Sequence, residues 1–197
     1  MSRKTRLLAL AAMAIAAAAL GAGSAAAAEF KFSPGGTITG TSLGAVTFSG
    51  GVFTITCNLT IRGTVTSARV PKVAGTSYGS VSSVTIGRCS GGTAAVSNLP
   101  WPVVYNAILG SLPNAVTGVS LTLQRAQFSA TFSGITCQYG GDVTSLLAVT
   151  GSNPYTTTLY AVPGTSVPLV SGGFLCPRTG SMSGTFAISP TQTVTRI

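Results

Sequence analysis

Few side chains of this sequence could do acid–base, nucleophilic or metal chemistry. The chain has 197 residues, no histidine, and only two carboxylates, Glu29 and Asp142. Most hydrolytic mechanisms use histidine or paired carboxylates, and protein metal sites draw on the same groups. Only 7% of the residues are charged, so the material for an ordinary polar active site is missing. We therefore expect no catalytic residue, no metal site and no cofactor.

Four cysteines are the other groups with reactive chemistry: Cys57, Cys89, Cys137 and Cys176. Their even number and wide spacing, with no C-x-x-C pair and no histidine, favour two disulfides over a metal site or a catalytic thiol. Three pairings are open in principle. The sequence FTITC, which ends at the first cysteine, recurs loosely as FSGITC at the third. This internal echo favours pairing within each half of the chain, as Cys57–Cys89 and Cys137–Cys176.

Two single residues are candidates for a site. Trp101 is the only tryptophan and lies within the sequence LPWPV. An exposed indole there would contact a sugar or a hydrophobic ligand, whereas the alternative is an anchor in the core or at its rim. Asp142 would need a partner group for catalysis, and none is at hand. Its position directly after Gly140-Gly141 instead predicts a turn.

The first 28 residues have the three parts of a secretory signal peptide. The start is basic, residues 7–20 are apolar, and residues 26–28 are alanines that form a small-residue cleavage site. The alternative is a retained membrane anchor, which is disfavoured because the apolar run is short and no charged stop-transfer segment follows it. We predict that residues 29–197 form a single exported domain without a membrane span, secreted or attached to the cell surface.

The balance of charge bears on the partners of the exported part. Eight lysines and arginines follow residue 28, against two acids. They are scattered singly and do not form the dense basic run of a nucleic-acid site, so no nucleic-acid partner is expected. A positive surface favours loose attraction to an anionic cell envelope. The alternative is that these bases only keep a surface rich in Ser and Thr soluble.

The elements that must position these residues are strands. Residues 52–62 alternate apolar and polar side chains, which is typical of a half-buried strand. Residues 119–123 alternate in the same way, with the apolar residues at odd-numbered positions, whereas in residues 126–132 they are at even-numbered positions. This change of parity requires a bulge or a tight turn near Gln124-Arg125, so that the apolar side chains stay on one face of the strand. Further strands are predicted at Val81–Ile86, Tyr155–Val162 and Thr185–Ile188.

Glycine and proline separate these strands and predict turns. After residue 28 no segment has a sustained helical period, and Ala107–Leu112 could form one helical turn at most. Many short strands at regular spacing predict an all-β fold, an antiparallel β-sandwich of Ig-like or Greek-key type or a Greek-key barrel. The predicted turns are Gly50-Gly51, Gly91-Gly92, Leu112-Pro113-Asn114, Gly140-Gly141-Asp142, Pro163-Gly164 and Gly172-Gly173.

Some of these motifs resemble those of a known family. They are Cys57-Asn-Leu-Thr-Ile-Arg-Gly-Thr-Val65, then Cys89, then Leu99-Pro-Trp-Pro-Val103. Over about residues 30–105 the chain is similar to small exported bacterial proteins of the alkane oxidation protein activator family, PraB type. The resemblance implies an extracellular, non-enzymatic β protein associated with growth on hydrophobic substrates. It carries over no catalytic residue.

Three functions remain open at this point. The first is an exported, non-catalytic protein that binds or coats at the cell envelope or in the medium. Its contacts would be the anionic envelope, an apolar small molecule or copies of itself. The second is a carrier that holds an apolar small molecule in an interior cavity lined by residues such as Leu121, Phe128 and Phe132. The third is a secreted enzyme with unusual chemistry.

Overall fold

The computed structural model describes residues 29–51, 53–66, 69–111 and 115–197. Within these ranges it consists of twelve β-strands, with no helix. The predicted signal peptide, residues 1–28, and the predicted turn at residues 112–114 lie outside the described residues. The strands are β1 (Glu29–Ser33), β2 (Gly36–Ser42), β3 (Val46–Gly50), β4 (Phe53–Val65), β5 (Arg69–Pro71), β6 (Ser77–Ser90), β7 (Thr93–Ser97), β8 (Trp101–Ser111), β9 (Ala115–Phe132), β10 (Ile135–Thr150), β11 (Tyr155–Gly172) and β12 (Thr179–Arg196).

All the described strands belong to one antiparallel sheet that closes on itself. Its path runs β11-β10-β9-β8-β6-β4-β2-β12, and β12 pairs in turn with β11. β3 bridges β12 and β4, β7 pairs with β9, and β1 joins β12 to β5. The predicted all-β antiparallel fold is confirmed. In contrast to a sandwich of two separate sheets, the two layers that pack against each other across the core are parts of one continuous sheet.

The strands form because their apolar side chains recur at every second position. In β4 the buried side chains alternate with exposed or half-buried ones, as the sequence predicted. Each large apolar side chain that is fully buried in this way stabilises the fold by roughly 1.5 to 3 kcal/mol. The buried apolar side chains of this strand are Phe53, Ile55, Cys57, Leu59 and Val65.

β9 contains the predicted change of parity. Leu123 pairs with Val143 of β10, and Ala126 pairs with Gly141. The two residues between them on β9 therefore lie opposite the single residue Asp142. Arg125 has a positive φ of 55°, which is typical of a bulge position. The bulge predicted near Gln124-Arg125 is confirmed.

Two predicted turns are wrong. Gly140-Gly141-Asp142 lies inside β10, and Pro163-Gly164 lies inside β11. Around Pro163 the register with β12 shifts, so this Pro-Gly pair marks an irregularity in a long strand. Residues 107–111, from the segment that could have formed one helical turn at most, belong to β8. Glycine and proline accompany bulges within strands as well as turns, and sequence alone does not separate the two.

Among the described residues, no helix has the length and apolarity needed to cross a lipid bilayer.

Candidate functional site

Four connections between strands meet at one end of the closed sheet. They are those between β3 and β4, β6 and β7, β9 and β10, and β11 and β12. The rings of Phe53 and Phe132 stack there with their centroids 4.7 Å apart, and Gly51 faces Pro177 of the β11–β12 connection. Both disulfides lie near these connections. We call this the disulfide end.

Each disulfide ties neighbouring parts of the sheet together. Cys57 and Cys89 lie directly opposite each other on β4 and β6, with their Cα atoms 4.1 Å apart. Cys137 on β10 is bonded to Cys176 of the β11–β12 connection, with a Cα–Cα distance of 5.6 Å. The predicted pairing is confirmed, and no cysteine in the described part of the chain is free. In the chain-entropy model, loops of these lengths each give roughly 3 to 4 kcal/mol of stability.

The β11–β12 connection exposes two large apolar side chains at its corner. Phe174 is 96% exposed and Leu175 is 51% exposed. They are the central residues of a β-turn that is closed by a hydrogen bond from the Cys176 N–H to the Gly173 carbonyl, at 2.9 Å. Turn corners normally carry Gly, Pro, Asn, Asp or Ser. Phenylalanine and leucine are therefore unusual at such a corner, which makes this turn a candidate contact surface. We call Gly173–Cys176 the apolar turn.

The surroundings of the apolar turn carry positive charge. Arg178 is exposed two residues beyond Cys176, and its carbonyl accepts a hydrogen bond from the Leu169 N–H at 2.8 Å. Arg88 is also exposed at this end, next to Cys89.

Both carboxylates have partners away from the apolar turn. Glu29 lies 3.4 Å from the Arg69 guanidinium, between strands β1 and β5. Asp142 accepts a hydrogen bond from the Arg125 backbone N–H at 3.0 Å, so it fixes the β9 bulge and is not the turn residue that was expected. Within the described ranges, no three His, Cys, Asp or Glu side chains lie together in a group that could hold a metal ion.

Trp101 belongs to the core. Its side chain is only 3% exposed, and its indole N–H donates a hydrogen bond to the Ser97 carbonyl at 2.9 Å. The indole face is therefore not presented at the surface for a ligand to stack on. The structure places Trp101 as an anchor at the start of β8, which was the alternative interpretation.

The interior of the closed sheet is filled. Two small apolar spaces measure about 40 and 20 Å³, whereas a protein cavity that binds benzene has about 150 Å³. Leu121 and Phe128, which were expected to line a ligand cavity, are instead packed in the core. The ring of Phe128 lies 5.3 Å from that of Phe48 and 5.5 Å from that of Tyr139, between centroids. No room is left in these spaces for a hydrocarbon chain.

Two tyrosine hydroxyls border the larger of these spaces. Tyr78 and Tyr160 both line it, and the buried hydroxyl oxygen of Tyr78 has no hydrogen-bond partner. Tyr160 lies beside Ser145, whose hydroxyl donates to the Leu121 carbonyl at 3.2 Å. Burial raises the pKa of both phenols, and the proximity of Tyr160 raises the pKa of Tyr78 further. These groups stay neutral at physiological pH and belong to the packing of the core.

The apolar turn was not among the residues that the sequence analysis singled out. The signal available was the pair Phe174-Leu175 between Gly172-Gly173 and Cys176-Pro177, that is, two large apolar residues directly after a predicted turn. Residue type alone does not tell whether such a pair folds back onto the core.

Comparison with known families covers almost the whole chain. A family model described as "Alkane oxidation protein activator PraA/PraB-like" matches residues 1–196. No curated protein and no solved structure gives a significant match. The family match extends well beyond residues 30–105, on which the resemblance rested, and takes in both disulfides and the apolar turn. The family's description is that of an activator, which indicates an accessory role. The chain belongs to the alkane oxidation protein activator PraA/PraB-like family.

Proposed function

We propose that this protein is an exported, non-catalytic accessory that supports the use of alkanes by binding or coating, at the cell envelope or in the medium. The observation that carries the proposal is the filled core. The two apolar spaces among the core residues measure only about 40 and 20 Å³, which supports contact with a larger partner on the outer surface.

Two further features support action outside the cytoplasm. The sequence begins with a segment of signal-peptide type. The four cysteines form two disulfides, which persist in oxidising compartments and are rare in the cytosol. The description of the family supplies the link to alkanes.

Fractionation of a culture grown on an alkane tests this proposal. We expect the protein in the medium or the envelope fraction, with a mass that corresponds to a chain beginning near residue 29. Its four cysteines should resist alkylation until a reductant is added. Recovery of the protein from the cytoplasm with free thiols would refute the proposal.

A growth experiment tests the accessory role separately. A strain lacking the protein should grow more slowly on an alkane and normally on a soluble carbon source. Purified, oxidised protein added to the medium should restore growth on the alkane. Growth on the alkane that does not respond to the added protein would contradict an action outside the cell.

A further inference from the structure

We propose that the apolar turn is a membrane-docking element, which inserts Phe174 and Leu175 into a lipid surface that carries anionic headgroups. The inference rests on the proposed function and deepens it, because it names the part of the envelope that the protein meets and the residues that meet it.

The first argument is the degree of exposure. Phe174 is 96% exposed, while Val73, the next most exposed large apolar side chain among the described residues, is 60% exposed. Leu175 stands beside Phe174 at the corner of the same β-turn, and Val170 near the end of β11 is also exposed. Apolar side chains at the tip of a projecting turn can enter the boundary between headgroups and acyl chains while the rest of the protein stays in water.

The second argument is that the turn is held in place before any partner arrives. Cys176 closes the turn by its N–H hydrogen bond to Gly173 and is also bonded covalently to Cys137. The hydrogen bond between the Leu169 N–H and the Arg178 carbonyl continues the hairpin behind it. A segment that is already ordered loses little conformational freedom when it binds, so two apolar side chains can suffice for reversible docking.

The third argument is charge complementarity. Arg178 is exposed beside the turn and Arg88 is exposed at the same end, while Glu29 and Asp142 have partners elsewhere. A guanidinium pairs well with a phosphate headgroup, and basic residues at a membrane surface are attracted by anionic lipid. A bare oil droplet would use the apolar side chains but not these charges. The charges therefore favour a lipid surface with anionic headgroups.

Vesicle partition of the oxidised protein, residues 29–197, tests the inference. Wild-type protein should bind vesicles of phosphatidylcholine mixed with phosphatidylglycerol more tightly than vesicles of phosphatidylcholine alone. Phe174→Ser with Leu175→Ser should lower the partition coefficient by about 100-fold, because the apolar area of both side chains is lost. Arg178→Gln should lower it by about fivefold on anionic vesicles only.

Matched control variants lie at the other end of the sheet. Val73→Ser removes an exposed apolar side chain, and Lys31→Gln removes an exposed charge. Both should bind like wild type. Equal binding by the Phe174→Ser, Leu175→Ser double variant, or an equal loss in Val73→Ser, would overturn the inference. So would a wild-type protein that binds neither kind of vesicle, or that binds both equally.

A spectroscopic reporter tests insertion directly. In Phe174→Trp, the new indole is exposed while Trp101 stays buried, so a change in fluorescence on adding vesicles reports the turn. We expect a blue shift, and quenching by lipids with brominated acyl chains. Unchanged emission would overturn the inference. If the protein were nevertheless exported and found with the envelope, the proposed function would still stand. A cytoplasmic protein with free thiols would refute the proposed function itself.

Discussion

The two ends of the closed sheet are stabilised in different ways. At the disulfide end, one covalent bridge joins β4 to β6, and the other holds the β11–β12 connection, which exposes Phe174 and Leu175. At the opposite end, where the described chain begins and ends, the N–H and carbonyl of Glu29 are hydrogen bonded to those of Ile197. Asn153 also caps this end by accepting the Arg196 N–H at 2.9 Å.

The two ends therefore differ in how firmly their backbone is held. At the opposite end, hydrogen bonds and one exposed ion pair hold the start of β1 and the end of β12, with no covalent link among the described residues there. Both covalent links lie at the end that is formed by short connections. For the Cys137–Cys176 bridge, which holds the apolar turn, the docking role proposed above gives a reason for this placement.

Removal of a disulfide gives the largest expected effect on this comparison. Replacing both Cys137 and Cys176 with Ser should lower the free energy of unfolding by roughly 3 to 4 kcal/mol, because the unfolded chain regains the freedom of the opened loop. Urea denaturation followed by circular dichroism measures it.

The matched control is the double replacement of Cys57 and Cys89 with Ser. It should lower the free energy of unfolding by a similar amount. The replacement of Cys137 and Cys176 should also weaken vesicle partition, because that bridge holds the apolar turn, whereas the control should leave vesicle partition unchanged. If both double variants lose vesicle binding equally, the bridges act only through overall stability.

Alkaline pH should lower the free energy of unfolding through buried tyrosines of the core, independently of the disulfides. Burial raises the pKa of Tyr78 and Tyr160 in the folded protein, while the unfolded chain keeps the usual tyrosine value near 10. The unfolded state therefore loses its protons first. Stability is full below about pH 10 and falls as the pH rises above it. Thermal unfolding at a series of pH values measures the fall.

The double variant Tyr78→Phe, Tyr160→Phe should show a smaller alkaline loss than wild type. The Tyr78 hydroxyl has no hydrogen-bond partner, so at neutral pH this variant should lose only what the contact between Tyr160 and Ser145 contributes, about 1 kcal/mol. An alkaline loss as large as that of wild type would place the sensitive groups elsewhere.

The β9 bulge, between the two ends, should respond to a change at Asp142. Asp142→Ala removes the acceptor for the Arg125 N–H and should lower stability by about 1 kcal/mol. Asp142→Asn keeps an oxygen at the same place and should lose less. Equal losses in the two variants would mean that the negative charge, and not the hydrogen bond, holds the bulge.

The ion pair at the terminal end should give the smallest effect. Glu29→Gln removes a contact of 3.4 Å between exposed side chains, and such pairs contribute about 0 to 1 kcal/mol. The change should disappear at high salt because exposed charges are screened. A loss comparable to that of a disulfide would show that the terminal end is held far more tightly than its contacts indicate.

Local patterns predicted the parts of the fold that depend on neighbouring residues. The alternation in β4 and the change of parity near Arg125 each follow from which face of a strand must be apolar. The disulfide pairing followed from the repeated FTITC-like sequence. Each of these features could be predicted from short stretches of sequence.

The rest depends on contacts between distant parts of the chain. Pro163 and Gly164 look like a turn, but β11 continues through them because β12 pairs with both sides. Trp101 and Phe174 are both large aromatic residues next to turn-forming ones, yet one is buried and the other exposed. Only the packing of the closed sheet decides between these outcomes, and no local pattern reports it.

The last strand of the chain has a consequence for when folding can finish. β12 pairs with β1, β2 and β3, the first three strands of the described chain, and it also seals the sheet against β11. The earliest strands also pair with β4 and β5, but their pairing with β12 waits until synthesis is nearly complete, and such non-local pairing is intrinsically slow. If the chain is exported as proposed, closure of the sheet cannot precede synthesis of β12, and this order favours a chain that is still open when it reaches the membrane.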